Sequence, residues 1–227
     1  MSFLIDGRPA RATVPAEPTL SLSGHPLDAR LPLALLEAVK AIDTPEAELD
    51  AELVHELRNK RLGLSETVYQ QIRRYSDAVR GRHRVGFGEV LALARLIGRR
   101  PDADLAFREA GRRWARLYVG TVSALERSAA RSLPSLIGRP IALRLLRKLS
   151  RRHMNGVLVR QGGTLLLEVE SPVSADAAPR AVGCGLYEAA FRESLLLLVD
   201  ADGAIEHVMC RTRGDRHCQW RADWRRR

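Results

Sequence analysis

The stretch Cys210-Arg211-Thr212-Arg213-Gly214-Asp215-Arg216-His217-Cys218 decides how this chain is read. Its two cysteines flank a turn containing Gly214 and Asp215. The run Ala204 to Cys210 precedes the turn and His217 to Trp224 follows it, so the spacing predicts a hairpin closed by Arg211 to Arg216. The one further cysteine, Cys184, opens a predicted helix upstream. Three thiols cannot all pair as disulfides, and Met1 to Arg11 holds no apolar run long enough for a signal peptide. A metal is the better reading, in a closed site that joins the hairpin to the helix. The bland alternative is that Cys184 and Cys210 are small buried hydrophobes.

Working outward, Gly183 to about Leu198 reads as a helix, and Asp202-Gly203 as a turn. Before them, Val157, Val159 and the run Thr164 to Val169 around Gly162-Gly163 read as another hairpin. The part upstream is helical. Leu31 to Ile42 carries a 3.6-residue apolar period, Thr44 and Pro45 start a helix reaching about Asn59, and Ser65 caps one that reaches Arg80. Gly81 to Gly88 reads as a loop and Phe87 to Gly98 as a short helix. After Pro101 a long helix is expected to about Ser128, with Leu105, Trp114, Leu117, Tyr118, Val122 and Leu125 as its stripe. Ile141 to His153 is a basic amphipathic helix, read as one packed and one solvated face. The fold class is therefore α+β: a helical N-terminal part followed by a ββαββ-like unit with a C-terminal hairpin. Residues 1–30 are expected as a flexible extension, 31–100 as an N-terminal helical region and 101–227 as the domain that carries both hairpins and the three cysteines.

Composition narrows the function classes. With 45% hydrophobic residues the chain can bury a substantial core, and its longest apolar run, Leu195 to Val199, is too short to span a bilayer. A cytoplasmic protein is expected. The formal charge of +10 draws attention to nucleic acid or an anionic membrane, and Arg131 to Arg160 holds eight basic residues and no acid. Aromatic residues are not interleaved with these arginines as a single-strand stacking surface requires, so these partners are disfavoured.

The segment from about Phe107 to Trp224 resembles the 4-vinyl reductase domain family. The resemblance rests on Val182-Gly183-Cys184-Gly185-Leu186 leading into the helix and on the paired cysteines around Gly214-Asp215. That family includes a bacteriochlorophyll-biosynthesis protein and the sensor domains of phenol- and xylene-responsive activators, and it shares its fold with TRAPP-type subunits. In the phenol sensors three cysteines and a glutamate hold a structural zinc, which implies Cys184, Cys210 and Cys218 as ligands here. Where those sensors keep the glutamate this chain has His207, a competent fourth ligand, with Glu206 and His217 as nearby substitutes. One constraint applies: in an ideal strand His207 and Cys210 face opposite sides, so both reach one metal only if the strand twists, bulges or ends between them.

Catalytic motifs are lacking. There is no Gly-x-Ser-x-Gly elbow or Walker loop, and the incomplete dinucleotide fingerprint at Gly183 has Glu188 in its sixth position. The resemblance implies binding more than catalysis: a hydrophobic pocket beside the zinc unit, taking an aromatic or tetrapyrrole ligand. Trp114, Tyr118, Tyr187 and Phe191 are candidate linings, equally readable as plain core, and His153 beside Arg151 and Arg152 is a candidate pocket residue. Counting back from Cys184 to the phenol sensors' pocket histidine and tryptophan reaches Ser135 and Gly163, which leaves phenol itself a poor expectation. A homodimer and a separate signalling partner are further expectations from the family. The alternatives are an accessory factor or reductase in bacteriochlorophyll synthesis, and a basic adaptor on nucleic acid or membrane.

Overall fold

The computed structural model describes residues 25–44, 62–201 and 203–223. The helix expected from Pro45 to Asn59, most of the expected N-terminal extension, Asp202 and Trp224 lie outside them.

Helices and sheet share one core. The helices are α1 (Arg30–Asp43), α2 (Glu66–Arg80), α3 (Phe87–Gly98), α4 (Ala103–Val119), α5 (Ala124–Ser132), α6 (Ser135–Leu149) and α7 (Gly185–Val199). A two-stranded ribbon pairs β1 (Leu27–Asp28) with β2 (Arg84–Val85). The main sheet holds β3 (Gly156–Gln161), β4 (Thr164–Val169), β5 (Ile205–Met209) and β6 (Cys218–Asp223), all antiparallel, in the order β3-β4-β6-β5. The chain is therefore mixed helix and sheet, as its sequence indicates.

Helix α4 is the centre of the helical layer, packed between α1 and α7. Its buried side is Ala103, Ala106, Phe107, Ala110, Trp114 and Tyr118, with Gly111 among them. Small residues let α7 come close: a Cβ added at Gly111 would stand 2.2 Å from the Leu186 carbonyl oxygen. Two ion pairs flank the seam, Arg108 Nη1 with Glu188 Oε1 at 2.9 Å and Arg116 Nε with Glu193 Oε1 at 2.8 Å. Between them Tyr118 donates to the Ala190 carbonyl at 3.2 Å and hydrogen-bonds Ser194 Oγ. On the other flank Asp43, at the end of α1, receives Arg100 in a bidentate pair at 2.7 and 2.9 Å.

Several expectations need correction. The long helix after Pro101 is two helices: α4 stops at Val119, and Ser123 starts α5 with a reciprocal capping box to Glu126. Leu105 and Leu125 accordingly leave the expected stripe and are 53% and 81% exposed. Trp114 and Tyr118 keep their expected places on the buried side of α4, which is completed by Phe107 and by alanines that a search for large side chains overlooks. The loop Gly81 to Gly88 contains β2, whose register is set by β1 far away in sequence. Helix α6 starts at Ser135, not Ile141, and holds Pro140 on its exposed side. Beyond Leu149 the backbone widens into a single π-helical segment, Ser150–Met154, closed by Asn155 in the left-handed region at φ 51°.

Asp28 ties β1 to this segment. Its Oδ2 lies 2.9 Å from His153 Nδ1 and 3.0 Å from Arg30 Nη1. Burial alone would raise its pKa, but the His153 contact and the Arg30 backbone and guanidinium overcome that and hold it at about 2. A depressed carboxylate contributes stability above its ordinary value of 3.8, lost as pH falls through about 2. Urea unfolding between these pH values is expected to show falling stability, with a shallower fall in Asp28→Asn. Gly111→Ala is expected to cost about 1–3 kcal/mol by overpacking the α4–α7 seam, read as a lower urea midpoint at unchanged slope.

Candidate metal centre

The register of the main sheet assembles the site. Leu158 pairs with Leu167, Leu167 with Trp220 and Trp220 with His207, so these four form one row across the core-facing side. Val169 pairs with Cys218 in the next row. Between His207 and Met209 the β5–β6 register shifts by a bulge. An extra residue at this point restores to Cys210 the face that strict alternation would deny it. The chain thus meets the constraint on His207 and Cys210 by bulging.

Beyond the bulge the turn is clamped. The Cys210 N–H donates to Asp215 Oδ2 at 2.6 Å, and the Cys210 carbonyl accepts from Arg213 and Asp215 at 2.9 and 3.2 Å. Gly214 closes the turn at φ 99°, a conformation only glycine adopts without strain. These contacts explain Gly214 and Asp215 between the cysteines. The Arg211 N–H points at Cys218 Sγ, 3.5 Å away, and Thr212 Oγ1 lies 2.9 Å from Cys210 Sγ.

The third thiol arrives from the other side. Cys184 is the N-cap of α7, where the positive end of the helix dipole favours a negatively charged sulfur. Its position is fixed by the preceding segment: Ser174 Oγ donates to the Gly183 carbonyl at 2.6 Å, and Tyr187 Oη accepts from the Val173 N–H at 3.2 Å. A Cβ at Gly183 would stand 1.7 Å from the Ser174 carbonyl oxygen, so only glycine fits there. Arg180 and Ala181 just before it take left-handed φ values of 56° and 60°, each costing about 1–2 kcal/mol without glycine.

The ligand atoms of Cys184, His207, Cys210 and Cys218 all lie within 4.8 Å of one another. Cys184 Sγ is 3.9 Å from both other sulfurs, nearly double an S–S bond and close to the ~3.8 Å edge of a tetrahedron with ~2.3 Å metal–sulfur bonds. All three cysteines are fully buried, and His207 Nε2 is buried with no hydrogen-bond partner. The four side chains therefore lie close enough to hold a metal ion. Three sulfurs and one imidazole form a complete four-donor set of the kind found in closed structural sites. In the thiol form the hydrogen bond from Cys184 holds Cys218 well below the usual thiol range against the opposing effect of burial, and the same bond pushes Cys184 up. A cleft of about 500 Å³ beside the cluster is lined by Arg180 and Arg213 and by Arg108, which is paired with Asp104 and Glu188 in the same wall.

The other expected residues lie elsewhere. Glu206 pairs with Arg221 at 2.5 Å, and His217 is not among the four converging side chains. Trp114, Tyr118, Tyr187 and Phe191 are buried together behind the sheet. Trp114 makes edge-to-face contacts with Tyr118 and Tyr187, each at 5.6 Å between centroids. Tyr187 stacks on Trp220, and Trp220 stacks on His207 at 4.9 Å. At the opposite end Tyr118 stacks on His153 at 5.1 Å. Sequence reading overlooked Trp220, although its alternation with Cys218 on one strand signalled the shared face. Gly163 lies in the β3–β4 turn. No protein-family model matches the chain, and no curated protein matches it.

The purified chain is expected to carry one zinc, measured by elemental analysis. Cys218→Ser should lose it and His207→Ala should weaken retention against a chelator at least about tenfold. Removing the metal should lower the thermal midpoint reversibly.

Proposed function

We propose that this chain is a non-catalytic, zinc-stabilised small-molecule-binding domain of the 4-vinyl reductase type, which senses or carries a hydrophobic ligand, an aromatic compound or a tetrapyrrole. The observation that carries the reading is the convergence of Cys184, His207, Cys210 and Cys218, because a metal with four protein donors has no position left for a substrate. Zinc in this role staples the β5–β6 hairpin to α7. The order of β3, β4, α7, β5 and β6 along the chain agrees with a ββαββ-like unit.

Ligand binding is supported by an unfilled requirement in the core. The Trp114 indole Nε1 is buried without a hydrogen-bond partner, in surroundings of Tyr118 and Tyr187 rings. A buried donor left unpaired costs about 1–3 kcal/mol, and a ligand oxygen would satisfy it once these packed rings part to admit a ligand. On this reading the bound state is passed to a separate partner, or to a second copy through the helices before residue 101.

Tryptophan fluorescence titration tests this with two named probes, protoporphyrin IX and 4-methylphenol. Saturable 1:1 quenching by one of them is expected, weakened roughly tenfold in Trp114→Phe, which keeps the ring packing and removes the donor. Native mass spectrometry of the protein from its own host should show the same stoichiometry for a co-purified ligand. No saturable response to either probe, together with a ligand-free native mass, would contradict the proposal.

A further inference from the structure

A second cleft lies at the opposite end of the ring file from the cysteines. Its volume is about 490 Å³, within the ~300–1,000 Å³ range of small-molecule sites. Its cations come from separate parts of the chain: Arg30 in α1, Arg82 and Arg84 after α2, Lys148 on α6 and Arg152 in the π-helical segment, with the His83 and His153 rings also in the lining. Val79, Val122, Leu145 and Leu149 add apolar wall.

The two acids that line this cleft are already engaged. Asp28 is taken by Arg30 and His153, while Glu126 is held by the neutral Ser123 in the capping box of α5 and is the one carboxylate of the lining without a cationic partner among the described residues. Arg84 donates to the Pro26 carbonyl, a neutral partner. Among the described residues Arg82, Lys148 and Arg152 have no carboxylate partner.

Three irregularities converge on the same cleft. His153 is 4% exposed and lines it, stacked on Tyr118, and its Nε2 has no hydrogen-bond partner. The segment Ser150–Met154, which carries Arg152 and His153, is π-helical, a rare local widening that is frequent at functional sites. Arg82 occupies the left-handed position that closes α2, at φ 56°, with its N–H on Val79 and the next N–H on Ala78. Glycine usually fills that position, and arginine there costs about 1 kcal/mol. Backbone cost is thus held where it places a cation at the cleft.

We infer that this cleft binds a small molecule bearing phosphate, its oxyanion held by Arg82, Lys148 and Arg152, with the His153 ring beneath. Three unpaired cations call for a multiply charged oxyanion, and guanidinium forks match phosphate oxygens in pairs. A monocarboxylate would leave most of this charge uncompensated. The site goes beyond the hydrophobic ligand proposed above, for which it offers the wrong chemistry.

Isothermal titration of the full-length, metal-loaded protein with inorganic pyrophosphate is the test. One site is expected. Arg82→Ala, Lys148→Ala and Arg152→Ala should each weaken it about tenfold, as loss of a hydrogen bond to a charged group does, with circular dichroism unchanged. His153→Phe should preserve stacking on Tyr118 and still weaken binding. The double variant Arg73→Ala/Arg95→Ala removes exposed cations outside the cleft and should stay within about twofold, since these residues supply only general charge. An absence of binding overturns the site, and an equal loss in the Arg73/Arg95 variant reduces it to general surface charge. Citrate binding as tightly as pyrophosphate overturns the phosphate assignment. In parallel, co-sedimentation with phosphatidylcholine vesicles containing phosphatidic acid separates the two sources of phosphate. Loss of sedimentation in the same three variants assigns a lipid headgroup, and a response to pyrophosphate alone assigns a soluble ester.

Discussion

Three buried sulfurs, with Cys184 3.9 Å from each of the other two, impose the constraint on which the rest of the structure depends. Thiols brought this close without a cation share protons and repel as they ionise; with a metal they become its ligands and the repulsion becomes attraction. To bring them together the chain bulges β5, clamps the 210–218 turn with Asp215, and starts α7 at Cys184 behind a glycine that no other residue can replace. None of these devices has an obvious purpose alone. Together they fix the last hairpin against the helix that packs on α4.

From that corner a continuous file of rings crosses the core. His207 stacks on Trp220, Trp220 on Tyr187, and Tyr187 meets Trp114, which meets Tyr118, which stacks on His153. The file belongs to the sheet at one end and to α4 and the π-helical segment at the other, so it joins the candidate metal centre to the basic cleft through contacts of 4.9 to 5.6 Å. Ring contacts of this kind each add about 0.5–1.5 kcal/mol beyond burial, and they make the two ends of the protein parts of one packed object. Four of the chain's eleven Phe, Trp and Tyr residues lie along this line, with a histidine at each end.

Much of this was legible in the residues. The Gly162-Gly163 turn, the Ser65 cap and the cysteine spacing each carry a local physical signal, and each marks the element it indicates. The break between α4 and α5 was also legible, in Ser123 and Glu126 three residues apart, but the apolar residues on either side masked it. Other features had no local signal. The bulge beside His207 follows from cross-strand register, and β1–β2 pairing joins residues more than fifty positions apart. The stripe of α4 was legible at Trp114 and Tyr118 but not at Ala106, Ala110 and Gly111, small residues whose value lies in what they leave out. The basic cleft draws its cations from several separate segments, so the one stretch that looked basic in sequence held only part of it.

X-ray absorption at the zinc edge of the purified, unmodified protein tests the central claim most directly. Three sulfurs at ~2.3 Å and one nitrogen at ~2.0–2.1 Å are expected, unchanged when small-molecule ligands are added. A shell with a bound water, with two or fewer sulfurs, or dominated by oxygen would contradict a closed structural centre built from Cys184, His207, Cys210 and Cys218.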